Sequence, residues 1–143
     1  MSQAHGWIRD LVDSLDANLD ESTRAAVLAE CGRRCLPQSV VARAHALWLA
    51  QGDLDAWVAA MNAEHLGGGY LERRGSEIHG RYERCYCPLA REAGEGLSPT
   101  FCNCSRAWLE GLFVGALGRS AQVEMTQTVV GGAPDCRWTV RLG

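Results

Sequence analysis

Three consecutive glycines, Gly67-Gly68-Gly69, divide this chain into halves whose hydrophobic periods cannot be built into the same kind of structure. Before them, apolar residues recur at helical spacing; after them, the pattern shortens towards alternation. Glycine has no Cβ, so a run of three ends a helix and lets the backbone turn wherever the next element requires. The expected class is therefore α+β: an N-terminal helical layer, residues 1–66, packed on an antiparallel sheet drawn from residues 70–143.

In "HGWIRDLVDSLDANL", Trp7, Ile8, Leu11, Val12 and Leu15 share one helix face. Asp20 is placed to cap a second helix over "ESTRAAVLAEC", and Gly32 to stop it. Pro37 opens "QSVVARAHALWLAQ", which Gly52 ends, and Asp53 caps "LDAWVAAMNAEHL". Beyond the glycines, "YLERRGSEIHGRYERCYC" predicts two strands around a turn at Gly75-Ser76, the second running through Cys85 and Cys87 to Pro88. "PLAREAGEGLSPT" predicts a loop, "NCSRAWLEGLFVGALG" a helix stopped by Gly118, and "SAQVEMTQTVV" and "CRWTVRL" the closing strands. In the last strand Cys136, Trp138, Val140 and Leu142 face one way and Arg137, Thr139 and Arg141 the other. The order is αααα-ββ-α-ββ, read as a single domain over residues 1–143 with no internal repeat.

A chain of 143 residues can bury one sizeable core. Its 47% hydrophobic and 22% charged content sets it apart from disordered and collagen-like sequences. A net charge of −3 and a pI near 5.8 argue against nucleic acid as a partner. There is no lysine; arginine carries the positive side-chain charge, the habit of a GC-rich bacterial genome. The N-terminal "MSQAHGWIRDLVDSLD" mixes apolar and acidic residues without the apolar stretch of a secretory signal, and no apolar run is long enough to cross a membrane. The expected location is cytoplasmic, where thiols stay reduced. There, seven cysteines point to metal binding or catalysis before a disulfide framework.

Four of the cysteines form Cys-x-Cys-x14-Cys-x-Cys: Cys85 and Cys87 at a strand end, Cys102 and Cys104 at a helix start. Residues two apart in a strand share a face, so the first pair is expected to present both thiols together. The free N–H groups and dipole of a helix start, with Asn103 or Ser105 as its cap, favour thiolate at the second pair. Zinc takes four thiolates in a tetrahedron, which makes Cys85, Cys87, Cys102 and Cys104 the candidate metal ligands. The alternatives are reactive or redox thiols, and plain packing as small apolar side chains.

Cys31, Cys35 and Cys136 are a further candidate thiol site. Cys31 and Cys35 stand either side of Arg33 and Arg34, which are candidates for holding an anionic ligand. Cys136 lies on the apolar face of its strand. Convergence of six thiols would raise the case for an iron–sulfur cluster, although the usual spacings for one are missing. His79 shares the parity of Cys85 but lies too far up the strand to be a ready ligand, and His45 and His65 fall in helices. No phosphate-binding glycine loop, nucleophile elbow or His-Glu-x-x-His occurs.

The C-terminal stretch "FCNCSRAWLEGLFVGALGRSAQVEMTQTVVGGAPDCRWTVRL" resembles the end of 4-vinyl reductase domains. It is also similar to related small bacterial domains that include L-2-amino-thiazoline-4-carboxylic acid hydrolase-like proteins. The residues carrying the resemblance are Cys102 or Cys104 before a helix bearing Glu110-Gly111, then Glu124 in a strand, and Cys136-Arg137-Trp138 after a turn. It covers residues 70–143, and the helical half by layout. The resemblance implies a small-molecule-binding α+β fold, shared with trafficking-complex subunits, often a homodimer, with cysteine-linked metal or redox function in some members. The doubled cysteines and the Cys31/Cys35 pair depart from the family pattern, and a stand-alone binder or enzyme, without an attached DNA-binding or kinase module, is expected.

The leading expectation is a metal-thiolate, small-molecule-binding domain with zinc at Cys85, Cys87, Cys102 and Cys104. Trp48, Trp57, Trp108, Phe113 and Met125 would wall a pocket for an apolar or anionic ligand. The alternatives are a small metal- or cysteine-dependent hydrolase or lyase, with Glu110 or His79 as base, and a thiol-based redox or metal sensor acting through a partner protein. Catalytic residues are not assigned.

Overall fold

In the computed structural model, which describes residues 3–143, helices α1 (Gln3–Asn18), α2 (Glu21–Cys35), α3 (Gln38–Gln51) and α4 (Leu54–Ala63) precede the hairpin β1 (Glu72–Arg74) and β2 (Glu77–Tyr82). A short helix α5 (Pro88–Ala93) and a 3-10 turn (Pro99–Cys102) lead into α6 (Asn103–Leu117), and the chain closes with β3 (Ala121–Gln127) and β4 (Cys136–Leu142). The sheet order is β1-β2-β4-β3 with every pair antiparallel. The last strand is thus inserted at the centre, and both of its edges are paired.

Local chemistry accounts for most of these boundaries. The Asp20 carboxylate accepts the Thr23 N–H at 2.7 Å, and Asp53 accepts the Ala56 N–H at 3.0 Å, each satisfying a donor that the first helical turn leaves open. Gly52 and Gly118 close α3 and α6 in the left-handed conformation. Three expectations fail. Gly32 does not end α2, which runs on to Cys35; Gly32 is a buried contact inside the helix, and a Cβ there would lie 2.0 Å from the Cys104 carbonyl oxygen. The strand predicted through Cys85 and Cys87 ends at Tyr82, because beyond the Tyr82–Cys136 pair β4 offers no further partner. The stretch read as a loop also contains α5, with Cys87 as the residue before its Pro88.

Helix α6 is the axis of the molecule, lying between the sheet and α2 with α3. Its Leu109, Leu112, Phe113 and Ala116 are fully buried, and they meet Trp57 and Met61 of α4 and Ile78, Trp138 and Val140 of the sheet. Side chains of this size each contribute about 1.5–3 kcal/mol when taken from water. Trp57 stands edge-on to Phe113, centroids 5.6 Å apart, and its indole N–H donates to the Ala44 carbonyl at 3.0 Å. The other sheet face carries polar side chains, where Arg141 pairs with both Glu77 and Glu124.

A second, smaller cluster forms beside this core. Val12 of α1 packs with Ala90, Ala93, Leu97 and Phe101, with Cys85, Cys87 and Val130 at its border. Asp16 fastens it, accepting from the Ser98 hydroxyl at 2.5 Å and the Thr100 hydroxyl at 2.6 Å.

Candidate functional site

Between the two apolar clusters the packing leaves a cavity of about 540 Å³. Its walls come from many parts of the chain. The end of α2 contributes Cys35, α3 contributes Val40, and the turn after α4 contributes His65, Leu66, Gly67 and Gly68. Tyr82, Cys85, Tyr86 and Cys87 follow from the end of β2 onward, then Pro88 and Ala90 of α5 and Phe101. Cys102, Cys104, Ser105 and Trp108 form the α6 side, and Met125, Val130 and Cys136 complete the sheet side. No arginine, aspartate or glutamate lines it among the described residues.

Six of the seven cysteines border this one cavity; Cys31 alone does not. The pairing within the group differs from a single converging set. Cys102 adopts helical backbone angles, so Cys104, two residues on, is turned by roughly 200° about the helix axis. Cys102 is influenced by Cys136, Cys85 and Cys87 and by a hydrogen bond with Thr128, whereas Cys104 is influenced first by Cys35, then Cys87 and Cys31. Cys136 accepts the Val129 N–H at 3.4 Å. Among the described residues, no group of three or more His, Cys, Asp or Glu side chains is placed so that it could hold a metal ion.

The expected thiolate at the start of α6 is corrected by burial. Loss of solvation pushes the Cys102 thiol up to about 12 and Cys104 up to about 11, and Cys136 is raised for the same reason. The helix end cannot offset this: Cys102 itself takes the capping position and makes no side-chain capping bond, so neither Asn103 nor Ser105 is the cap. The Asn103 amide instead donates back to the Thr100 carbonyl at 2.9 Å. These thiols are protonated at neutral pH.

Other expected site residues are placed away from the cavity. Arg33 and Arg34 do not line it, and Arg34 is exposed and paired with Glu30 at 2.8 Å. His79 lies on the outer sheet face, against Glu77 at 3.1 Å and the Thr139 hydroxyl at 3.4 Å. Glu110 pairs with Arg106 at 2.7 Å and accepts the Val123 N–H at 3.2 Å, an attachment of α6 to β3. His45 is satisfied as a donor to the Ala116 carbonyl at 3.0 Å. Of the expected pocket-wall residues, Trp108 and Met125 line the cavity, while Trp57 and Phe113 are fully buried core and Trp48 packs against that core.

Two polar residues that periodicity alone did not single out stand out instead. His65 has φ 56°, a left-handed conformation that costs a non-glycine residue energy. Its ring borders the cavity and makes no hydrogen bond with the described residues. Tyr82 also borders the cavity, packed on Trp138 with centroids 4.4 Å apart and edge-on to Tyr86 at 5.5 Å; its hydroxyl likewise has no partner among them. Burial pushes the Tyr82 phenol well above its ordinary value, so it is a hydrogen-bond donor throughout the physiological range. A histidine two residues before a glycine run is the sequence signal for His65, and no local pattern marks Tyr82.

The arrangement defines a class: a helical layer on a one-sided antiparallel sheet, enclosing a cavity rich in sulfur and aromatic carbon with no arginine or carboxylate side chain in its wall among the described residues. No family model matches the chain, and no curated protein sequence matches it. Solved structures do match in fold. The phenol-responsive sensory domain of the transcription activator PoxR, solved with phenol, gives a TM-score of 0.56 at 16% identity, covering 96% of this chain and 74% of that one. A trafficking protein particle complex subunit 3 from Naegleria fowleri, covalently bound to palmitic acid, gives 0.53 at 11% identity, covering 98% and 95%. At these identities the likeness is one of fold, and it agrees with the small α+β architecture.

Proposed function

We propose that the cavity receives a small, neutral, mainly apolar molecule, so that the chain acts as a ligand-binding domain of 4-vinyl reductase-like type. The observation that carries this is the lining: apolar, aromatic and sulfur atoms with no arginine or carboxylate side chain, and a few polar groups, among them the His65 ring and the Tyr82 hydroxyl, without a hydrogen-bond partner among the described residues. Ligand sites are typically of this kind, a concave apolar wall with a few polar groups that fix orientation. A ligand bearing one hydroxyl or carbonyl would satisfy the His65 ring or the Tyr82 hydroxyl while its carbon skeleton fills the rest. Both structural neighbours were solved with ligands rich in apolar carbon, phenol in one and palmitic acid in the other, which supports the reading.

The test is thermal unfolding with neutral aromatic and aliphatic alcohols, followed by native mass spectrometry. Ligand at about 100 times Kd stabilises the native state by about 2.7 kcal/mol. A 1:1 complex whose stabilisation is lost in His65→Ala and Tyr82→Phe is the expected result. No shift with any neutral compound sinks the proposal.

A second reading is favoured by the six cysteines around the same cavity: a thiophilic metal, zinc first, held by Cys85, Cys87, Cys102 and Cys104. The donor type suits such an ion. The thiols would have to release protons and the 83–87 segment would have to close on α6, since they are not preset around one point. Metal content of untagged protein, measured with a free-thiol count, decides it: one zinc per chain with four thiols protected supports the site, and none with all thiols free removes it.

A further inference from the structure

Helices α2 and α6 meet backbone to backbone beside the thiols. The backbone of Gly32 in α2 rests on Cys104 at the start of α6: a Cβ on Gly32 would be 2.0 Å from the Cys104 carbonyl oxygen and 3.0 Å from its Cα. Cys35 is three residues beyond Gly32, on the same helix face. Three residues advance a helix by about 4.5 Å, so Cys35 stands within one turn of that contact, and of the thiols it is the one that acts most strongly on Cys104. Cys35 and Cys104 also border the same cavity, whereas Cys31 does not. Cys102 is turned the other way, towards Cys136 and Cys85.

The geometry points to Cys35 and Cys104 as an oxidisable dithiol, which a peroxide joins in a disulfide that staples α2 to α6 across the cavity wall. Cys35 is exposed, so its sulfur meets the oxidant first. As thiolate it attacks the peroxide O–O bond, giving a sulfenic acid and one water. The Cys104 sulfur then attacks the sulfenic sulfur, loses its proton, and expels the hydroxyl as a second water. Two thiols lose two electrons and hydrogen peroxide accepts them. Cys104 is half-buried and held protonated by its surroundings, which suits it to the resolving role: it engages only once a sulfenic acid stands beside it. The bond would fix the seam and alter the cavity's α2 wall. The proposal rests on where the walls lie and is independent of what fills them.

Trypsin separates the partners conveniently. Cys31 falls in residues 25–33, Cys35 in 35–43, Cys85 and Cys87 in 85–91, and Cys102 with Cys104 in 92–106. The full chain is treated with a few equivalents of hydrogen peroxide, digested without reductant, and analysed by tandem mass spectrometry. The expected result is a 35–43/92–106 crosslink fragmenting at Cys104, with two thiols lost per chain. It should persist in Cys31→Ser and Cys102→Ser, and vanish in Cys35→Ser and Cys104→Ser. Cys35→Ser alters an exposed side chain, and circular dichroism of each untreated variant shows whether it is folded. A dominant crosslink to residues 25–33 or 85–91, or oxidation that stops at sulfinic acid on Cys35 in the folded protein, overturns the proposal. Because the readout is a covalent mass, failure of every ligand to bind would leave it standing.

Discussion

The Trp138 indole lies directly on the backbone of Gly80, its strand partner: a Cβ at position 80 would fall 2.3 Å from indole Cε2. Trp138 is buried to 1% exposure and is hemmed in by Tyr82, so it has nowhere to retreat. Gly80→Ala should therefore cost about 3 kcal/mol, the upper end of core overpacking. Urea unfolding checks this, and an unchanged midpoint would mean that the indole can slide.

The buried thiols set an alkaline limit. Cys102 and Cys104 ionise at about 12 and about 11 in the folded chain, against an ordinary value of 9.0. A raised thiol favours the folded state fully below about pH 9, where both states are protonated. Above it the unfolded chain ionises first, and stability falls as pH climbs towards the folded values. Melting temperature should drop between about pH 9 and 11, less steeply in folded Cys104→Ser. At pH 8, alkylation should reach Cys31 and Cys35 first and Cys102 and Cys136 last, following exposure.

Asn62 closes a two-way bridge to Leu71, donating to its carbonyl at 2.9 Å and accepting its N–H at 2.8 Å. The bridge spans the glycine turn that forms one rim of the cavity. Asn62→Ala should lose about 2 kcal/mol, roughly 1 kcal/mol for each bond. It should also weaken ligand binding by loosening the rim. Calorimetry on the variant separates the two effects, and full affinity in a destabilised protein would show that the rim does not depend on the bridge.

Asp16 fixes the segment around Phe101. Its carboxyl is held below the ordinary value by the Ser98 and Thr100 hydroxyls, with Arg24 adding its charge at 3.2 Å. A lowered carboxyl stabilises the fold above its unfolded value near 4, and that stabilisation disappears as pH falls through the folded value. Hydrogen exchange in residues 97–102 should accelerate on acidification, and Asp16→Asn should show fast exchange already at neutral pH. Equal exchange in both proteins would remove Asp16 as the fastener.

What the sequence made legible is what local chemistry decides. The Asp20 and Asp53 caps, the glycine stops at 52 and 118, and the alternation of β4 each depend on a few neighbouring residues, and each is found. Thr139 departs from that alternation, being buried on the outer face beside His79. Gly32 misled because its reason is distant: glycine there admits the backbone of α6, a contact that α2 alone does not reveal. Helix α5 is too short to show a period. The thiolate expectation weighed a helix end without knowing the burial opposing it, and desolvation proved the larger effect. The cysteines were recognisable as a group, but the cavity that gathers them depends on how two apolar clusters fail to meet.

A wall without an arginine discriminates between ionisation states of one compound. A weakly acidic ligand would enter as its neutral form in preference to its anion, because the few polar groups of the lining replace only part of the water an anion gives up. Its apparent affinity would then fall tenfold for each pH unit above the ligand's own pKa. The concentration registered would be that of the un-ionised species, the same species that crosses lipid bilayers unaided.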